Sequence, residues 1–226
     1  MKETANKRSP RGIFLTLEGP EGSGKSTQIP LLAAALRTAG YRVASTREPG
    51  GTKVAEAIRT LLLSGPSNEP IMPETEALLV LAARSQHVAH VIRPALARGS
   101  IVLCDRFAHS TFAYQGFGRG VSLSWLQTAN RAATGDLVPD LTLLLDIPVA
   151  RGLARRRQAR SGRNRLDRES IMFHERVRRG FLTLASRTPR RIKVINADRP
   201  VEVVRAEIEA LVLGWLRTRQ RHSSAQ

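Results

Sequence analysis

Short apolar runs of strand length recur along the chain at 13–17, 42–46, 100–104, 141–146 and 193–196. Most are apolar almost throughout rather than alternating, the pattern of strands covered on both faces. Between them the spacing predicts helices over 25–38, 52–63, 74–98, 122–134, 149–160, 167–186 and 201–217, with a shorter helix ending at Tyr114. Gly40 closes the first of these. Pro94 falls inside the 74–98 pattern, where its missing N–H predicts a kink or a break. Glycine- and proline-rich stretches at 48–51, 65–73 and 116–120 read as turns or loops, and 161–165 as a loop between two helices. Strands alternating with helices predict an α/β fold, a parallel sheet with helices on both faces in one domain.

The length of 226 residues suits one such domain, and 42% apolar with 24% charged residues is ordinary for a globular chain. Aromatics make up only 4%, so the core must rest on Leu, Val, Ile and Ala. Cys104 is the one cysteine, which excludes an internal disulfide; its apolar neighbours predict a buried, inert thiol and a cytoplasmic setting. No window approaches the ~18 apolar residues of a membrane span, and residues 1–11 lack the apolar run of a signal peptide. No membrane partner is therefore expected. The net charge of +17 changes the picture more. Residues 151–191 hold fourteen Arg against three acidic residues. Charge alone leaves nucleic acid, anionic lipid and phosphorylated small molecules open as partners.

One motif narrows this. Gly19, Pro20, Glu21, Gly22, Ser23, Gly24, Lys25 and Ser26, followed by Thr27, match the phosphate-binding loop G-x-x-x-x-G-K-[ST] between a strand and a helix. Glycines let the backbone curl so that successive N–H groups face phosphate oxygens, and the helix N-terminus adds positive potential. Lys25 is placed to reach the β- and γ-phosphates of ATP, and the Ser26 hydroxyl to ligate Mg²⁺. Two further segments lie at strand ends, where open α/β sheets bind ligands. Arg47 and Glu48 precede a Pro-Gly-Gly turn, and Asp105 precedes Arg106. The carboxylate can hold Mg²⁺ through water, and the guanidinium can clamp a phosphate. Ser110, Tyr114 and Gln115 follow, groups suited to a sugar or a base.

Together with 82–84, 113–116, 118–120 and 139–142, these segments make the chain resemble bacterial thymidylate kinases over about residues 12–215. The resemblance implies a P-loop NTPase three-layer fold, with a five-stranded parallel sheet in the order 2-3-1-4-5 and a mobile Arg-rich lid at about 151–169. It implies phosphorylation of dTMP to dTDP with ATP and Mg²⁺ by a homodimer, for which the helix at 74–93 is a candidate interface. Residue by residue, it implies that Glu21 contacts the sugar 3′-hydroxyl, Arg84 the thymine, and Arg106 the acceptor phosphate. Tyr114 would pack at the sugar 2′ position, Gln115 would lie beside the base, and Asp105 would organise Mg²⁺. Arg47, Glu48 and Ser110 join the substrate-binding set. In the lid, Arg163 or Arg165 is expected to reach the transferred phosphoryl group; Arg155–Arg157 are expected to face solvent, with contact to adenine as the alternative.

The chain departs from the family at Val80, where an aromatic usually stacks on thymine. Losing ~1–3 kcal/mol of stacking predicts weaker or broader base preference, by about one to two powers of ten. Other readings stay open at this level: a kinase for another monophosphate such as dUMP, a nucleic-acid-associated P-loop ATPase, or a nucleotide-binding homologue without turnover. No specific nucleic-acid partner is expected. Residues 1–11 are expected to form a flexible tail, 12–218 the domain, and 219–226 a basic tail.

Overall fold

The computed structural model describes residues 12–65, 69–158 and 165–224. Five parallel strands, β1 (Ile13–Glu18), β2 (Val43–Arg47), β3 (Ile101–Asp105), β4 (Leu141–Asp146) and β5 (Ile192–Asn196), form one sheet. Their order is β2-β3-β1-β4-β5, as expected. The register sets Leu17 and Arg47 each beside Asp105. The carboxyl ends of β1, β2 and β3 therefore finish level, and the three chemistry-bearing loops leave from one edge.

Strand periodicity divides the core in two. Leu15, Leu17, Leu143 and Leu145 point to the face covered by α1 (Lys25–Thr38) and α9 (Val201–Ser224). Phe14, Val102 and Cys104 point to the other face, under Val88, Ile92 and Leu96. On that same side Leu144 and Ile192 meet Phe173, Val177 and Phe181 of α8 (Ile171–Arg187). Cys104 is buried, and burial pushes its thiol pKa up, so it is inert as expected.

The remaining helices are α2 (Lys53–Ser64), α3 (Pro73–His87), α4 (Arg93–Ala97), α5 (Ala108–Thr111), α6 (Leu123–Thr134) and α7 (Val149–Gln158). The predicted 74–98 helix does not break at Pro94. A π turn, Val88–Ile92, joins α3 to α4 and places Pro94 in the first turn of the new segment, where no N–H is needed. The glycine-rich stretch predicted as a loop from 116 is helical to Gly118, because α5 continues into a π segment, Phe112–Gly118. The last helix also runs past its predicted end. Residues 219–224 continue α9 rather than forming a tail, and Arg219 Nη1 lies 2.9 Å from Asp140 Oδ1.

Candidate active site

The loop between β1 and α1 is shaped by close backbone packing. Gly22 has φ +70°, and a Cβ there would lie 1.9 Å from the Gly152 carbonyl oxygen of α7. A Cβ on Gly152 would lie 2.3 Å from the Glu21 carbonyl in return, so neither position accepts a side chain. Gly24 precedes α1 without a side-chain cap, and among the described residues no hydrogen bond uses the N–H groups of residues 22–26. Unpaired donors curled around a helix N-terminus form an anion cradle.

Lys25 Nζ lies 2.9 Å from the Gly19 and Pro20 carbonyls and 3.0 Å from Ser23 Oγ. Burial, and then the neighbouring Arg106, push its pKa down to about 8. A cavity of about 570 Å³ lies over this loop, and all of 21–28, Asp105 and Arg106 line it. The Asp105 Oδ1 atom is buried without a partner, and the exposed Ser26 lines the same cavity. Those two oxygens suit a hydrated Mg²⁺. Among the described residues no group of three or more His, Cys, Asp or Glu could hold a metal by itself, so its remaining ligands would be phosphate oxygens and water.

Arg106 ties this cavity to a second one. It has φ +70°, while its N–H still bonds the Leu17 carbonyl at 2.9 Å. The turn aims the guanidinium between the two cavities. Nη1 donates to the Gly19 carbonyl at 3.0 Å and Ser110 Oγ at 3.1 Å; Nη2 donates to Glu21 Oε1 at 3.0 Å and the Tyr114 hydroxyl at 3.2 Å. Tyr114 in turn donates to Glu21 at 2.9 Å. Burial would raise the Glu21 pKa, but Arg106, Lys25 and Tyr114 together hold it near 2. Behind them Glu18 accepts from the Phe107 N–H at 2.8 Å and the Ser110 hydroxyl at 2.5 Å. Burial dominates there and raises its pKa to about 7.

The second cavity holds about 130 Å³ and brings together Glu21, Glu48, Val80, Arg84, Arg106, Ser110, Tyr114 and Gln115. Leu62, Leu63, Val80 and Leu166 supply its apolar wall. Arg84 is 1% exposed and held rigidly: Nε donates to Glu48 Oε2 at 2.7 Å, Nη1 to Asn130 Oδ1 at 2.9 Å, and the guanidinium lies 4.9 Å from the Phe107 ring centroid. Glu48 Oε1 also lies 3.0 Å from His87 Nδ1. Glu48 was expected to touch substrate; it lines the cavity, and its two oxygens also hold Arg84 and His87.

Two expectations change. Arg47 is exposed and paired with Glu56 at 2.9 Å, and lines neither cavity. Arg165 lines the acceptor-side cavity, where Nε donates to the Leu62 carbonyl at 3.1 Å and Nη2 to Glu76, so its guanidinium does not face the phosphate loop. Arg155 and Arg156 line the phosphate-loop cavity, in keeping with the adenine-side alternative, while Arg155 stays exposed. Arg163 lies outside the described residues. Sequence reasoning missed Arg59, which lines both cavities, and Glu76, whose carboxylate accepts from Gln115, Arg119 and Arg165. The one available signal for Glu76 was an acid on the apolar face of a helix.

Two adjoining cavities, one over an anion cradle and one with a buried Arg, define a group-transfer site. The sequence profile of thymidylate kinase matches residues 17–208. The chain belongs to the thymidylate kinase family. It is 57% identical over 199 residues to a thymidylate kinase of Thermomicrobium roseum, spanning 88% of this chain and 93% of that one. To a thymidylate kinase of Pseudomonas putida it is 52% identical over 203 residues, spanning 90% and 96%. A crystal structure of the Ehrlichia chaffeensis thymidylate kinase superposes with a TM-score of 0.73 at 33% identity, covering 90% of this chain and all of that one. The chain is thus an enzyme, a nucleoside monophosphate kinase. No helix among the described residues is long and apolar enough to cross a membrane.

Proposed function

We propose that this kinase binds ATP in the phosphate-loop cavity and dTMP in the adjoining one, with Arg106 and Arg59 at their junction. The chain converts dTMP to dTDP. The observation that carries the assignment of the base site is the hydrogen-bonding left over around the second cavity. Gln115 Nε2 donates to Glu76 at 2.8 Å, so its carbonyl oxygen is left to accept. Arg84 uses Nε and Nη1 on the protein, and among the described residues Nη2 makes no hydrogen bond. One acceptor and one donor complement the N3–H and O4 of a 2,4-dioxopyrimidine. Cytosine presents the reverse pattern and would leave both groups unpaired. The thymine methyl suits the wall of Leu62, Leu63, Val80 and Leu166.

At the sugar, the ionised Glu21 is an acceptor for the 3′-hydroxyl, and Tyr114 fills the space beside it. The acceptor phosphate would lie on Arg106 and Arg59. The γ-phosphate would lie on Lys25 and the N–H groups of residues 22–26. Mg²⁺, held by Ser26 and through water by Asp105, would neutralise charge on the transferred group. No general base is required, since a phosphate oxygen of dTMP is already ionised at pH 7. Positioning and charge neutralisation carry the reaction. Arg155 and Arg156, which line the phosphate-loop cavity, would serve the donor side.

A coupled assay of ADP release tests this with dTMP, dUMP, dCMP, dGMP and AMP offered separately. A strong preference for dTMP over dUMP, and negligible turnover of dCMP, is expected. Equal use of dCMP would overturn the base-site reading. Exposed Val54, Leu61, Leu78 and Trp125 on α2, α3 and α6 support a homodimer through these neighbouring helices; sedimentation as a monomer would refute it. The same reading places the enzyme in the cytoplasm with its nucleotide pool, which cell fractionation would check.

A further inference from the structure

A third cavity, of about 280 Å³, opens between the α5 region, α6 and the strands β4 and β5, and the reaction has no use for it. Phe112, Leu137, Val138 and Ile192 give it an apolar wall. The polar groups on it are cationic or neutral, and no carboxylate lines it. Arg131 is occupied by Asp136 at 2.8 Å. The Arg191 side chain, exposed at the edge, makes no hydrogen bond or ion pair among the described residues. His109 Nδ1 is buried without a partner. Burial, with Arg84 and Arg191 nearby, holds the His109 pKa near 4, so the ring is neutral at physiological pH.

Asn130 joins this cavity to the acceptor site. An arginine only donates, so the bond from Arg84 Nη1 fixes which way round the amide lies. Oδ1 faces Arg84, and Nδ2 is directed elsewhere. Among the described residues Nδ2 makes no hydrogen bond, and it is not among the atoms sealed from solvent. Asn130 itself lines the third cavity. An apolar pocket with one unpaired cation and one spare amide donor is complementary to an apolar body carrying an anionic oxygen.

We propose that this cavity is a second ligand site for a small molecule with an aromatic or aliphatic body and one carboxylate, whose binding tightens the acceptor site through Asn130. The carboxylate accepts from Arg191 and from Asn130 Nδ2. That contact gives the amide a second hold in the orientation that already presents Oδ1 to Arg84, and so steadies Arg84 against the base. The coupling is reciprocal, each ligand raising affinity for the other by the same factor. The tightening rests on the reading of Arg84 as a base-contacting residue; the binding does not.

Phenylacetate is the probe, with phenylacetamide as its uncharged counterpart. Each is titrated into the full-length kinase while the asparagine side-chain amide resonances are followed by NMR, and the KM for dTMP is measured at saturating ATP. Val138→Trp fills the mouth and Arg191→Gln removes the cation; neither residue lines the donor or acceptor cavity, so basal kcat is expected to hold. Phenylacetate should bind, phenylacetamide at least tenfold more weakly, and the dTMP KM should fall ~5-fold, the lower end of ordinary coupling, with kcat unchanged. Both variants should lose binding and the KM shift together. Absence of binding up to ~10 mM, a range that reads even weak sites, would overturn the proposal. So would equal binding of the amide, undiminished binding in both variants, or a raised dTMP KM. Binding with an unchanged KM would overturn the coupling. If Arg84→Gln leaves the dTMP KM unchanged, the acceptor reading fails on its own, while the NMR titration still decides whether the cavity binds.

Discussion

Replacing Glu48 by Gln should weaken the acceptor site and the fold together while leaving the donor site alone. In the native protein the Glu48 carboxylate faces Arg84 Nε at 2.7 Å and His87 Nδ1 at 3.0 Å, and none of the three side chains is more than 3% exposed. A carboxylate accepts from both donors at once. A carboxamide accepts from one and turns its NH₂ toward the other, leaving Arg84 buried beside a neutral group. Removing one partner of a buried pair costs about 3–5 kcal/mol, and the surviving hydrogen bond argues for ~3 kcal/mol. A chain of this length loses ~2–4 °C of Tm per kcal/mol, so a fall of ~6–12 °C is expected. Stabilities of ~5–15 kcal/mol leave the variant folded at 25 °C. The dTMP KM should rise ~10-fold, the equivalent of ~1.4 kcal/mol lost when a charged hydrogen bond slackens. The ATP KM should stay within twofold. Thermal unfolding by circular dichroism and the coupled ADP assay read these quantities. A Tm change under 2 °C with an unchanged dTMP KM would show that Asn130 and the Phe107 ring hold Arg84 unaided. Equal changes in both KM values would refute the separation of donor and acceptor sites.

Val80→Phe should lower the dTMP KM by roughly 5- to 150-fold, the equivalent of ~1–3 kcal/mol of base stacking; no change would mean that the aliphatic wall already covers the ring. Glu76→Gln should raise the dTMP KM and speed proteolysis near Arg165, because one carboxylate holds Gln115, Arg119 and Arg165. Unchanged protection would show that the Leu62 carbonyl, with the Leu63 carbonyl that accepts from the Arg165 N–H at 3.0 Å, holds Arg165 unaided. Glu18 and Glu21 make opposite contributions to stability with pH. The Glu18 pKa is raised from 4.5 to about 7, so its contribution is full below about 4.5 and is lost as pH rises toward 7. The Glu21 pKa is lowered to about 2, so its contribution is full above about 4.5 and is lost as pH falls toward 2. Glu18→Gln should therefore remove part of the fall in Tm between pH 4.5 and 7, and an unaltered slope would assign that fall to other groups.

The elements, the phosphate loop and the set of groups at the sheet edge were legible from local pattern. Strand and helix periods are local, and so are the torsions that Gly22 and Gly24 need; resemblance then supplied the strand order. Residues adjacent to a strand end, such as Asp105 and Arg106, were legible because the strand itself carries them to the edge. Which charges meet depends on how distant segments pack. Glu48 and Arg84 are 36 residues apart, and Glu76 and Arg165 are 89 apart. A carboxylate near a pocket binds substrate or orients another side chain according to what packs behind it, and for Glu48 that is Arg84 and His87. The arginine-rich segment shows the same limit. Charge count marked it as anion-binding, but α7 packs Gly152 against Glu21 and so carries Arg155 and Arg156 over the phosphate loop, while Arg165 is drawn to Glu76 on α3. Composition cannot distinguish those arginines, because their roles depend on the direction each backbone segment gives the side chain.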